Sequence, residues 1–228
     1  MRVSKAVALT CIVMLALAGA ASADYFLIVS EDTDAATALE TSLTANSHTF
    51  NTVDFTAASA LTPNDVMTNY NATLYVGLPS SGSEQDWCIA LMDAGGNLMV
   101  ADNDFAYFYC DGSNAMCTTY LESLYVSDAG SDGVLTGQDI MAGINPDISS
   151  DPYPDDFTIS GTNGVVIFDA PSANAAGTAV ERLDYRAIYL AWDYDSTSAA
   201  EIDAVTGVVA TYLSEPVVPV ELMSFSIE

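Results

Sequence analysis

Residues 128–139 read Asp-Ala-Gly-Ser-Asp-Gly-Val-Leu-Thr-Gly-Gln-Asp. Counted from Asp128, oxygen-bearing side chains fall at positions 1, 5, 9 and 12 (Asp128, Asp132, Thr136, Asp139), with a glycine at 6 and the Val134 carbonyl at 7. Hard oxygen donors around a sharp glycine turn are what calcium takes. Gly130 at position 3 and Asp in place of Glu at position 12 depart from that pattern, and the flanks do not read as paired helices. Two readings therefore stand, a calcium loop and a plain acidic turn, and calcium is the one cofactor the sequence admits. Asp147, Asp151, Asp155 and Asp156 form a second acidic group, read either as ligands or as a solvated loop held by Pro146, Pro152 and Pro154.

Other chemistry finds fewer residues. The single histidine, His48, precedes a short strand and lies far in sequence from any thiol. No phosphate-cradling Gly-Lys-Ser/Thr loop, dinucleotide fingerprint or His-Glu-x-x-His pattern is present. With 31 acidic residues, no single pair of carboxylates stands out for glycoside chemistry. Tyr107, Phe108, Tyr109, Tyr120 and Tyr125 gather in one stretch, as core packing or as a binding surface above strand ends.

The elements that must position these residues begin after a leader. Arg2 and Lys5 precede a mostly apolar run from Ala6 to Ala20, then Ala21-Ser22-Ala23. This pattern is expected of a signal peptide cleaved after Ala23, giving a secreted or cell-surface protein with no membrane insertion after cleavage. From residue 24 on, two arginines and no lysine face 31 acidic residues, hence −29. Such a field repels nucleic acid and suits a saline or mineral-rich exterior. Half of the residues are apolar or aromatic, so a folded core is expected and not an acidic tail. In an oxidising compartment, Cys110 and Cys117 are the expected disulfide among the three pairings that three cysteines allow, leaving Cys88 as a small buried hydrophobe.

Strand and helix alternate from residue 25. Tyr25–Ser30, Thr49–Phe55, Ala72–Leu78 and Asn97–Ala101 read as strands; Asp32–Thr44, Thr62–Tyr70, Ser83–Ala94 and Ala115–Tyr125 read as helices. An Asp/Gly/Ser/Pro-rich stretch covers 127–156, then three strands are expected at Gly164–Phe168, Thr178–Leu183 and Arg186–Trp192, with a closing helix over Thr197–Leu213. The alternation predicts an α/β domain with a parallel sheet. After it, Pro216-Val-Val-Pro219 opens a stiff Pro-rich linker or tail over 214–228.

The segment LYVGLPSSGSEQDWCIALMDAGGNLMVADND, with the later YRAIYLAWDYD and its following helix, resembles the class I glutamine-amidotransferase-like (flavodoxin-like) domains of secreted bacterial surface proteins. The likeness covers roughly 24–213. It implies a three-layer flavodoxin-like domain, with a mostly parallel sheet and helices on both faces. Where that family carries a nucleophile, at the end of the fourth strand, this chain has Asp102-Asn103-Asp104 with neither Cys nor Ser. The resemblance implies a lost catalytic role and makes these three residues the candidates for lining a ligand crevice. The chain is thus expected not to be an enzyme but a secreted, non-catalytic module for extracellular binding or assembly, with a protein or a glycan as partner. A secreted hydrolase acting on peptide or glycan through unidentified carboxylates is the first alternative, and a surface-layer or filament subunit the second.

Overall fold

A computed structural model describes residues 24–128 and 133–215. The chain enters through β1 (Tyr25–Ser30), whose apolar run is covered on both faces, and passes through α1 (Thr33–Ala45) to β2 (Thr49–Val53). It crosses back through α2 (Phe55–Ala58) and α3 (Pro63–Asn69) to β3 (Ala72–Val76), then through α4 (Gly82–Asp93) to β4 (Leu98–Ala101). Each of these helices starts where a side chain satisfies free amides. Asp32 accepts from the amides of Asp34 and Ala35 at 2.8 and 3.0 Å, and Thr62–Asp65 and Ser81–Glu84 close capping boxes on α3 and α4. Pro63 sits in the first turn of α3, where a missing amide costs nothing.

A short helix, α5 (Phe105–Tyr109), follows β4. The fourth helix expected over Ala115–Tyr125 does not form. Met116–Tyr120 makes a single π-helical turn, and Ser123–Asp128 is an extended strand, β5. Glu122 between them takes a left-handed φ of 48°, which ends any helix, and the alternation Leu124-Tyr-Val-Ser suits a sheet edge. Cys110 and Cys117 are disulfide-bonded across this turn, as expected.

The remaining strands are β6 (Thr136–Gly137), β7 (Asp155–Ile159), β8 (Gly164–Asp169), β9 (Ala175–Glu181) and β10 (Arg186–Leu190), before the closing helix α6 (Ala199–Ser214). The sheet runs β2-β1-β3-β4-β10-β9-β7-β5, with β8 also on β9 and β6 on β8. Strands β2, β1, β3, β4 and β10 are parallel; β9, β7, β5, β8 and β6 join antiparallel. The α/β class therefore stands; the strands expected at Gly164–Phe168 and Thr178–Leu183 form as β8 and β9 but pair antiparallel, and β5, β6 and β7 were not expected.

Alternate residues of the parallel strands feed two cores. Phe26, Ile28, Leu74, Met99 and Ile188 pack with Leu39 and Leu43 of α1 and Val205 and Val209 of α6. Leu27, Val29, Tyr75, Val100 and Tyr189 pack with Val66 of α3, Trp87 and Leu91 of α4 and Phe105 of α5. The Asp/Gly-rich stretch contributes Leu135, Met141 and Ile148 to the first core.

Both arginines of the folded part are committed. Arg182 pairs with the buried Glu122 at 2.9 Å, and Glu122 also accepts from the amides of Asn163 and Gly164. Arg186 donates to the Tyr212 carbonyl at the end of α6, lies 4.8 Å from the Tyr212 ring centre, and pairs with Glu181 at 3.1 Å.

Candidate functional site

Ligands of open α/β sheets bind beyond the carboxyl ends of the strands. Here those ends carry acid after acid: Glu31-Asp32 after β1, Asp102-Asn103-Asp104 after β4, and Asp193 and Asp195 after β10. The β4 and β10 ends lie side by side, because Ala101 pairs with Leu190 and the Asp102 amide donates to the Leu190 carbonyl. Asp102 turns inward to 6% exposure, and its Oδ1 accepts from the Asp104 amide at 2.9 Å. Burial pushes its carboxyl up to about 7 even though backbone amides hold the ionised form, and the charges on Asp104 and Asp193 add to the rise. Asp193 is pushed up to about 6, by burial first and then by the charges on Asp151 and Asp195.

Two further acids come from the long excursion between β4 and β10. Asp151, buried, accepts from the Asn103 side chain and the Tyr153 amide, both at 3.0 Å, and from the Asp193 amide at 2.8 Å. It clamps three segments around the strand ends. Asp155, at 1% exposure, accepts from the Tyr107 amide at 2.8 Å through Oδ2. Burial, then the charges on Asp128 and Asp104, push it up to about 8. Beneath it, the buried Tyr189 hydroxyl accepts from the Ala106 amide at 3.1 Å. The Asp155 carboxyl and the Tyr189 hydroxyl thus take up amides of the first turn of α5.

Aromatic surface flanks these acids. Tyr107 and Phe108 are 50% and 56% exposed, with ring centres 4.9 Å apart, and the Tyr107 ring lies 5.6 Å from that of Tyr125. Tyr109, Tyr120 and Tyr125 pack partly against the core, so the stretch divides between the two roles left open for it. A groove of about 370 Å³ opens nearby between the starts of α1 and α6, lined by Asp34, Thr37, Asp195, Thr197 and Asp203 over Ile202.

The sequence candidates scatter. Asp102, Asn103 and Asp104 share the β4 end. Of the calcium set, Asp132 lies outside the described residues. Asp128 stands on β5 and accepts from the Tyr125 hydroxyl at 2.8 Å. Val134 bridges to Asp147, Thr136 pairs with Asp169 in β6, and Asp139 opens a 3-10 turn with φ 45°. Among the described residues, no three acidic, His or Cys side chains lie close enough to hold a metal ion. His48 sits at the opposite end of the sheet, 3.6 Å from Asp24 and edge-on to Phe26. Of the second acidic group Asp147 is exposed, as expected of a solvated loop, but Asp151, Asp155 and Asp156 are buried. The sequence reading passed over Asp193, although a polar residue just past an all-apolar parallel strand is the signal that marks it.

No protein-family model matches the chain, and no curated protein is similar to it in sequence. Solved structures share its fold. The carbohydrate deacetylase Agd3 superposes with a TM-score of 0.57 at 13% identity, over 84% of this chain and 32% of that one. The exo-β-1,4-mannosidase Op5Man5 from Opitutaceae bacterium strain TAV5 gives 0.59 at 8% identity, over 84% and 36%. A putative GMP synthase subunit from Thermoplasma acidophilum gives 0.55 at 9% identity, over 83% and 96%. At such identities the likeness is one of fold, and this chain spans about a third of the length of the deacetylase and the mannosidase. These neighbours nevertheless overturn the expectation that the chain is not an enzyme, because the fold recurs within carbohydrate-acting enzymes.

Proposed function

We propose that the chain is an exported hydrolase acting on carbohydrate, with its working groups beyond the carboxyl ends of β4 and β10. The observation that carries this reading is the pairing of Asp102 and Asp193 on adjacent strand ends, with carboxyls raised to about 7 and about 6. Acid–base catalysis at neutral pH needs two carboxyls whose environments separate their titrations. Near pH 7, Asp102 keeps its proton in about half of the molecules and Asp193 is mostly ionised. Asp102 then protonates the leaving oxygen, and Asp193 takes a proton from the attacking water. Tyr107 and Phe108 offer flat apolar faces on which a sugar ring can lie.

The fold-level reading goes with it. The two cores on opposite sides of the parallel strands favour a three-layer, flavodoxin-like arrangement over 24–213, related to the amidotransferase-like domains but with carboxyls where those have a nucleophile. The leader and the disulfide favour export.

The test is release of reducing ends or acetate from a panel of polysaccharides by the purified protein and by Asp102→Asn. Turnover that drops on the order of a hundredfold or more in the variant supports the assignment. No turnover of any polysaccharide, or a variant as active as the parent, refutes it.

A further inference from the structure

A second group of carboxyls has no part in that acid–base pair. Asp128 and Asp155 stand directly opposite each other in the antiparallel pairing of β5 and β7. Cross-strand partners hold their Cβ atoms about 5 Å apart, and like charges there oppose folding. Asp104, at the start of α5, adds a third carboxyl, raised by burial and then by the charges on Asp128 and Asp151. Both arginines of the folded part are engaged at Glu122, Glu181 and the end of α6, so neither answers the group. Asp155 is buried, and its Oδ1 has no hydrogen-bond partner among the described residues. Beside it, the half-exposed Tyr107 ring lies between those of Phe108 and Tyr125.

Aromatic faces attract ammonium groups, and an ammonium beside Asp155 favours the ionised carboxyl, so its binding expels the proton that burial holds there and supplies the N–H donors that the unpartnered oxygen lacks. A metal ion needs several oxygens about 2.4 Å from one centre. Among the described residues the acidic side chains do not come close enough for that. We propose that Asp104, Asp128, Asp155 and Tyr107 form a subsite for an amine-bearing sugar, its ammonium turned to the carboxyls and its ring against Tyr107. This rests on the carbohydrate reading and narrows it to glycans with free amino groups. The −29 field of residues 24–228 draws such polycations from solution.

The experiment is calorimetric titration of the purified protein at pH 7 with a glucosamine hexamer, an N-acetylglucosamine hexamer, spermine and calcium. The glucosamine hexamer should bind on the order of tenfold tighter than its acetylated counterpart, with the gap closing as salt rises from about 0.05 to about 0.5 M. Asp128→Asn should weaken the glucosamine hexamer by roughly tenfold and leave the acetylated one unchanged, while Tyr107→Ala should weaken both by a few-fold. Asp128 is exposed and its replacement relieves repulsion, so the variant keeps its fold; its urea midpoint checks this. Equal affinity for the two hexamers overturns the amine assignment and leaves the carbohydrate reading standing. So does failure of both hexamers to bind while another polysaccharide is hydrolysed. Spermine binding as tightly as the hexamer, with no polysaccharide turned over, overturns both. Calcium binding that Asp128→Asn abolishes would give the carboxyls to a metal, and the amine assignment falls.

Discussion

Asp155→Asn should make the protein more stable at alkaline pH and leave it unchanged in acid. In the native state, burial and the charges on Asp128 and Asp104 raise the Asp155 carboxyl from its ordinary 3.8 to about 8. The unfolded chain gives up this proton near pH 4, whereas the native chain keeps it until about pH 8. The unfolded state therefore gains from ionisation across that window, and native stability falls as pH rises from about 4 to about 8, then levels off. Each pH unit of the window costs at most about 1.4 kcal/mol, so the ceiling at pH 7 is about 4 kcal/mol. Water entry and side-chain relaxation reduce this to about 2 kcal/mol. Asparagine keeps an acceptor for the Tyr107 amide and turns an N–H donor toward Asp104 and Asp128. Urea unfolding followed by the fluorescence of Trp87 and Trp192, at about pH 4.5 and about pH 8, reads the difference. The variant should gain about 2 kcal/mol at the higher pH and less than about 0.5 kcal/mol at the lower. A variant destabilised at pH 8, or shifted equally at both, would refute the reasoning.

Hydrolysis should follow a bell-shaped pH profile, rising through about pH 6 as Asp193 ionises and falling above about pH 7 as Asp102 loses its proton. Rates measured across pH 4–9 check it, and a profile flat between 6 and 8 would count against the pair. Glu122→Ala should cost about 3 kcal/mol, because it strands Arg182 and the amides of Asn163 and Gly164 together; a shift in urea midpoint worth less than about 1 kcal/mol would contradict the role given to this residue. Gly77→Ala should cost about 2 kcal/mol, since φ is +96° and a Cβ would stand 2.9 Å from the Asp32 nitrogen. A melting temperature unchanged by that substitution would show that the turn after β3 yields.

The parallel half was legible because its signals are local. The Tyr25–Ser30 and Ala72–Val76 runs, the Thr62-Pro63 start and the Gly95-Gly96 stop each sit within a few residues of what they specify. In the antiparallel part β8 and β9 were legible as strands, whereas β5 and β7 escaped because they pair across a long separation, as Ser123 does with Ile159, and β6 because it is two residues long. Leu124 and Tyr125 continue the apolar spacing of the turn before them, and only Glu122 in its left-handed conformation separates helix from strand. At the site, Asp102 could be found from the end of its strand. Asp151 and Asp155 could not, since their proline-flanked stretch has the composition of a solvated loop; they are met by the backbone just past β10 and by α5, remote in sequence.

The two committed arginines have a consequence for proteolysis. Proteases of trypsin type cut after Lys or Arg, and from residue 24 onward only the bonds following Arg182 and Arg186 qualify. One guanidinium is held by Glu122 and the other is buried under Tyr212 at the start of an interior strand. While the fold persists, Arg186 is closed to such a protease, and the bond after the partly exposed Arg182, whose guanidinium is tied to Glu122 and the Thr119 carbonyl, is the one point of attack left.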